Sequence, residues 1–216
     1  MMTYAVIFPN RKMDKLTLDE NHIYRYDGTI VPGVSEILQS AGLVDFSTVP
    51  AERLEKSRKF GNAVHLTCEL SDREKLDIGS LDPALEPYLT GWEIFRQEYN
   101  LSFTAIEAQL YSSLYRFAGT IDRIGHWRID YSLLIIDIKS GVDNPAIKIK
   151  LAAYELLVKE ALKIKGKVKR LAVYLNDKGT YSIKEYKDKN DMNIFIGALS
   201  VYNWRKKYNL LDKIKK

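Results

Sequence analysis

The sequence predicts an α/β protein with a central mixed β-sheet. That sheet contains an antiparallel three-stranded meander and is flanked by α-helices. Two observations carry the prediction. First, helical periodicity gives way at about residue 101 to three β-rich runs joined by short turns, FTAIEAQLYS (103–112), FAGTIDRIG (117–125) and SLLIIDIKS (132–140). Connections this short imply antiparallel neighbours. Second, LLIIDIK (133–139) is apolar on both faces: Leu133 and Ile135 alternate with Leu134, Ile136 and Ile138. A strand of that kind is covered on both sides.

The remaining elements follow in order. VPGVSEILQSAGL (31–43) reads as a turn and a short helix with Ser35 as the expected N-cap. Residues 51–70 read as a helix with Gly61 inside it, and residues 82–100 as a helical region broken near Pro87. After the meander, residues 146–165 form a long helix. KVKRLAVYLN (167–176) is a fourth strand, entered after Gly166, and TYSIKEY (180–186) a fifth. Residues 192–209 close the chain with a helix that is basic at its end. No repeat or Pro/Gly/Ser linker divides the sequence. The expectation is one domain over residues 1–216, with a core at about 31–186, an N-terminal extension and a C-terminal basic helix.

Composition narrows the function. The chain has 216 residues, 46% of them hydrophobic, enough for a real core. The formal charge of +5, with 33 Lys and Arg, favours an anionic partner. Cys68 is the single cysteine, which excludes an internal disulfide, a cysteine zinc site and a four-cysteine iron–sulfur cluster. No apolar run approaches a membrane span, and the apolar stretch of MMTYAVIFPNRK is too short for a signal peptide. A cytoplasmic protein with no membrane partner is expected.

The chemistry centres on three charged residues of the meander. Asp137 and Lys139 share one face of a strand whose environment is apolar. Such a pair must be compensated, because an unpaired buried charge costs on the order of several kcal/mol. Asp122 lies on the neighbouring strand. Two carboxylates brought together repel, and a divalent cation with oxygen ligands, Mg²⁺ or Mn²⁺, relieves the repulsion. A lysine beside them can orient water or stabilise charge on a phosphate, the arrangement used in metal-assisted phosphodiester hydrolysis. A strand-end ion pair between Asp137 and Lys139 remains the plainer alternative. Glu107, on the first strand of the meander, can reach the same place or stand exposed. His65 follows Gly61 by four residues, on the same helix face. A helical glycine costs roughly 1 kcal/mol against alanine, so a close approach to the sheet is expected there. Lys150 falls within the apolar arc of Ile147, Leu151, Tyr154 and Val158, either aimed at the sheet or reaching around to solvent.

These parts, in this order, resemble the PD-(D/E)xK nuclease superfamily, in particular its RecB-like branch and the phage relatives of lambda exonuclease. The superfamily shows G-x-x-x-H, a strand acid, G-x-x-D, (D/E)-x-K and Q-x-x-x-Y. This chain shows Gly61 and His65 in FGNAVH, Glu107, Asp122 in GTID, Asp137 and Lys139 in DIK, and Lys150 and Tyr154 in KLAAY, between about residues 31 and 175. The resemblance implies a restriction-endonuclease-like fold. It implies Mg²⁺ or Mn²⁺ held by His65, Asp122, Asp137 and the Ile138 carbonyl, with Lys139 positioning water. Glu107 would assist a second metal or a water, and Tyr154 would contact DNA or brace the site. Lys150, standing where the superfamily has glutamine, would bind a DNA phosphate or lower metal affinity. It further implies exonuclease activity on DNA in phage-type recombination or repair, alongside a single-strand annealing protein. Ile121 replaces the proline of the superfamily's name, and Lys150 replaces the glutamine. A lysine cannot accept a hydrogen bond, so that second departure bears on rate and substrate preference. The alternative is a DNA-binding module whose nuclease site has decayed.

Overall fold

A computed structural model describes residues 15–211. It contains β1 (Leu16–Leu18), β2 (Tyr24–Tyr26), β3 (Thr29–Val31), α1 (Val34–Ser40) and α2 (Ala51–Asp72). These are followed by α3 (Glu86–Glu98), β4 (Leu101–Ser112), β5 (Phe117–Trp127) and β6 (Leu133–Lys139). Last come α4 (Ala146–Leu162), β7 (Val168–Leu175), β8 (Tyr181–Tyr186) and α5 (Asn190–Lys207). The main sheet has the order β4-β5-β6-β7-β8. Its pairs are antiparallel except β6 with β7, which are parallel and joined through α4. The expected mixed sheet with its antiparallel meander is therefore the architecture observed. Among the described residues, no helix is long and apolar enough to cross a membrane.

The alternation read in LLIIDIK sets the layers. Leu134, Ile136 and Ile138 join Leu171, Val173 and Leu175 against Val64 and Cys68 of α2 and Trp92 and Phe95 of α3. Ile135, Val168 and Ala172 face the other way, onto a layer built from α1, α4 and α5. Ile135, Ile136 and Ile138 are fully buried, each contributing roughly 1.5–3 kcal/mol of hydrophobic stabilisation.

Three details differ from expectation. The small antiparallel sheet β1-β2-β3 was not expected, because strands of three residues are too short to show a period. Its one legible signal is Asp27-Gly28, both with positive φ (50° and 76°), between paired Tyr26 and Thr29. This is the two-residue hairpin turn that Asp-Gly favours. The N-cap of α1 is Gly33 rather than Ser35. Pro32 accepts a hydrogen bond from the Ala118 N–H and Gly33 bridges Ala118, so the chain stays extended onto β5 until Val34. The break near Pro87 is a helix start: α3 begins at Glu86 with proline in its first turn, where no intrahelical N–H is needed.

Glycine packing separates two helices. A Cβ on Gly91 of α3 would lie 2.8 Å from the Thr180 carbonyl oxygen in the β7–β8 connection, a backbone atom that cannot swing away. A Cβ on Gly61 of α2 would make an ordinary contact with Ser140 Oγ at 3.6 Å, so the packing there does not require glycine. Alanine in a helix is favoured over glycine by roughly 0.5–1 kcal/mol, while overpacking costs about 1–3 kcal/mol. Gly91→Ala is therefore expected to lower the urea midpoint and Gly61→Ala to hold or raise it. A Gly91→Ala protein as stable as the parent would refute the packing argument.

Candidate active site

The site forms where β5 and β6 part. Their ladder runs from His126 opposite Leu133 to Arg123 opposite Ile136 and ends there. Beyond it β5 remains paired with β4 and β6 with β7. The Ile138 N–H, which would otherwise be orphaned, donates to Asp122 Oδ2 at 2.6 Å in a buried bond. A side-chain carboxylate thus takes over from the ladder and opens a notch at the carboxyl-terminal end of β6.

Two further residues converge on Asp122. His65 of α2 brings Nδ1 to 3.4 Å from Asp122 Oδ2. Glu107 of β4 stands across from Asp122, as the flanking pairs Ile106–Arg123 and Ala108–Ile121 require. One ligand atom from each of His65, Glu107 and Asp122 lies within 4.8 Å of the others. Glu107 has φ +51° within a strand, a left-handed conformation that costs a non-glycine residue about 1–3 kcal/mol. Burial, followed by the Asp122 charge, pushes its carboxyl up to about 7. Burial also lowers the pKa of His65, outweighing the pull of Asp122, so the imidazole is held neutral with a lone pair to offer.

Asp137 and the two lysines make an adjoining cluster. Asp137 is fully buried. Its Oδ1 accepts from Lys150 Nζ at 2.9 Å and its Oδ2 is ion-paired with Lys139. Burial alone would raise the Asp137 pKa, but the two ammonium groups hold it well below the usual carboxylate range. Lys139 Nζ also donates to the Ile138 carbonyl at 3.1 Å. Lys150 is aimed at the sheet, with Nζ 5.3 Å from the Tyr154 ring centroid. Burial opposes its charge, but Asp137 raises its pKa well above the ordinary value. Tyr154 is buried, 4% exposed, beneath Gly119. The structure therefore gathers His65, Glu107 and Asp122 as one group. It sets Asp137, Lys139, Lys150 and the Ile138 carbonyl beside them as a second, already charge-paired group.

Sequence reasoning passed over Arg123 and Asp72. Both side chains are fully buried, with Arg123 Nε 2.5 Å from Asp72 Oδ2. Arg123 Nη1 donates to Glu107 Oε1 at 3.0 Å and to the Asp122 carbonyl at 2.6 Å. The signal was an arginine inside an apolar strand, FAGTIDRIG, which demands a buried partner. That partner closes α2, 51 residues earlier, and no local pattern links the two.

Glu107 generates a stability prediction. An acid whose folded pKa exceeds its unfolded value destabilises the fold as pH rises. The penalty is absent below the unfolded value of about 4.5, grows through the window up to about 7, and is constant above it. In EDTA, Glu107→Gln is expected to exceed the parent in stability by about 3 kcal/mol at pH 8. It should show no such advantage at pH 4.5. Parallel pH–stability curves from chemical denaturation would contradict the assignment.

No protein-family model matches the chain, and no curated protein does. Among solved structures, the chain is similar to one named "Putative exonuclease" from Eubacterium rectale, with a TM-score of 0.53 at 10% identity over 85% of this chain and 82% of that one. An alkaline exonuclease from Laribacter hongkongensis matches with a TM-score of 0.38 at 13% identity, over 83% of this chain and 93% of that one. At such identities the likeness is one of fold, and the first of these structures carries it. The chain has a nuclease-like α/β fold, consistent with its resemblance to the PD-(D/E)xK superfamily.

Proposed function

We propose that the protein is a divalent-metal-dependent DNA nuclease, an exonuclease of phage-type recombination or repair that works alongside a single-strand annealing protein. The observation that carries the nuclease reading is the convergence of His65, Glu107 and Asp122 to within 4.8 Å in the notch between β5 and β6. A neutral imidazole and two carboxylates suit Mg²⁺ or Mn²⁺ as a donor set, so the residues present fit the ion. His65, Asp122 and Glu107 would hold it, with Asp137 and the Ile138 carbonyl adjoining. Once bound, such an ion would polarise a phosphoryl oxygen and acidify water.

The chain's own groups do the rest. The Ile138 N–H fixes the Asp122 carboxylate in one orientation. Lys139, anchored between Asp137 and the Ile138 carbonyl, presents a positive charge at the notch that stabilises negative charge on a phosphate or orients water. Tyr154 braces α4 beneath β5, where a Cβ on Gly119 would come within 2.8 Å of its ring. DNA as substrate is supported by the net charge of +5. Exonuclease action is supported by the likeness in fold to a protein that carries that name. The recombination role and the annealing partner rest on the sequence resemblance. A second reading, a DNA-binding module with a decayed site, is favoured by one observation: Asp137 is already neutralised by Lys139 and Lys150.

Digestion of end-labelled linear and covalently closed DNA with Mg²⁺, Mn²⁺ or EDTA separates the two readings. The nuclease is expected to degrade linear DNA with either metal, to leave closed circles intact, and to be silent in EDTA. Lys139→Ala should reduce cleavage by roughly a hundredfold or more, the scale of losing one electrostatic donor. Binding of DNA without cleavage under every metal condition would establish the decayed module instead. Lys150→Gln removes a cation beside the candidate metal ligands and supplies an acceptor. It is expected to tighten Mn²⁺ binding in calorimetry, and unchanged affinity would show that Lys150 does not oppose the ion.

A further inference from the structure

We propose that Arg123 is a positioning residue that holds Glu107 and Asp122 at ligand separation. The inference rests on the reading of those two acids as metal ligands. Arg123 is fully buried in β5, on the sheet face that carries α2 and α3. Its partners fall into two groups. On one side the buried carboxylate of Asp72 accepts from Nε. Asp72 is fixed in turn by Trp92 Nε1 at 3.0 Å and Arg96 Nη1 at 2.8 Å. On the other side Nη1 is shared between the Glu107 carboxylate and the Asp122 backbone carbonyl. The guanidinium carbon lies 5.5 Å from the Trp92 ring centroid and 6.0 Å from that of Phe103, so the group has little freedom to turn.

Asp72 shares its single charge between Arg123 and Arg96, so Glu107 completes the charge balance of Arg123. The remaining bonds do something else as well: they tie a side chain of β4 to the backbone of β5 at the candidate site. Glu107 and Asp122 repel one another, and Glu107 sits in a left-handed conformation that its own backbone does not favour. A cation bonded to the Glu107 Oε1 and to the Asp122 main chain offsets both tendencies. It occupies Oε1 and leaves the other carboxylate oxygen for a ligand. Lysine cannot substitute, because one ammonium has no rigid fork with which to span Asp72 and Glu107 together.

The test is Mn²⁺ calorimetry on the parent, Arg123→Lys, Glu107→Gln and the double variant. Supporting bonds to metal ligands are worth about ten- to a hundredfold in metal affinity. Arg123→Lys is expected to weaken Mn²⁺ binding by that factor with net charge unchanged. In the Glu107→Gln background the same substitution should cost clearly less than in the parent, the remainder reflecting the bond to the Asp122 carbonyl, since contacting residues are non-additive. A merely structural arginine would lower the unfolding midpoint and leave Mn²⁺ affinity untouched. Parent-like affinity in Arg123→Lys, beside a weakened Glu107→Gln, overturns the positioning role and spares the nuclease reading. A folded parent that binds no Mn²⁺ overturns that reading and this inference with it. Should Arg123→Lys fail to fold by circular dichroism, Asp72→Asn loosens the same tether from outside the site. It is expected to weaken Mn²⁺ in the same direction, and parent-like affinity in that variant overturns the inference.

Discussion

The bond from the Ile138 N–H to the Asp122 carboxylate is the constraint on which the site depends. A buried backbone donor left without a partner costs about 1–3 kcal/mol, so two strands that separate inside a core must find substitutes for the ladder. Here one side chain suffices, at 2.6 Å. The substitution closes the β5–β6 ladder at Arg123 and Ile136, and the positions of Asp122, Asp137 and Lys139 around the notch follow from it. The acid that serves the backbone is thereby held in one orientation.

Charge is distributed unevenly around that notch. On the α4 face, Asp137 is balanced by two lysines, whose charges hold its pKa below the usual carboxylate range. On the α2 face, Glu107 and Asp122 share Arg123, and burial leaves Glu107 reluctant to ionise at neutral pH. The first cluster gains stability from its pairing, whereas the second holds strain, in a left-handed Glu107 and in two neighbouring acids. Residues held in such sparsely populated conformations persist where the surrounding structure over-determines them, and here Arg123 is bonded to the strained residue.

The sheet and its two covered faces were legible because they rest on local patterns: short turns in the meander, period two in LLIIDIK, and a helix of known length between β6 and β7. The candidate residues stood out in the sequence as an ordered set of motifs, with Glu107 within reach of the same place as Asp122. How closely each would approach the others was not legible. Spacing along the chain set Asp137 beside Asp122, since the two lie on neighbouring strands. The ladder stops one pair short of them, however, and Glu107, across the other edge of β5, joins His65 and Asp122 instead. The Arg123–Asp72 pair lay further out of reach, because its members are 51 residues apart and neither belongs to a recurring pattern. The three-residue strands at the N-terminal end were too short for any period, though Asp27-Gly28 marked their turn.

Strand β5 joins the two networks through adjacent residues. Asp122 bonds β6 through its carboxylate, receives His65, and offers its carbonyl to Arg123. Arg123 then reaches the end of α2 through Asp72 and, by way of Trp92 and Arg96, the middle of α3. Helix α2 therefore meets the site twice, with His65 from its middle and Asp72 from its last residue, seven positions apart on one face. A shift of α2 along the sheet would move the His65 imidazole and the Asp72 carboxylate together, one at Asp122 and the other at Arg123. The docking of this one helix sets the site's geometry, and the apolar packing of Val64, Cys68, Trp92 and Phe95 against β6 and β7 fixes that docking.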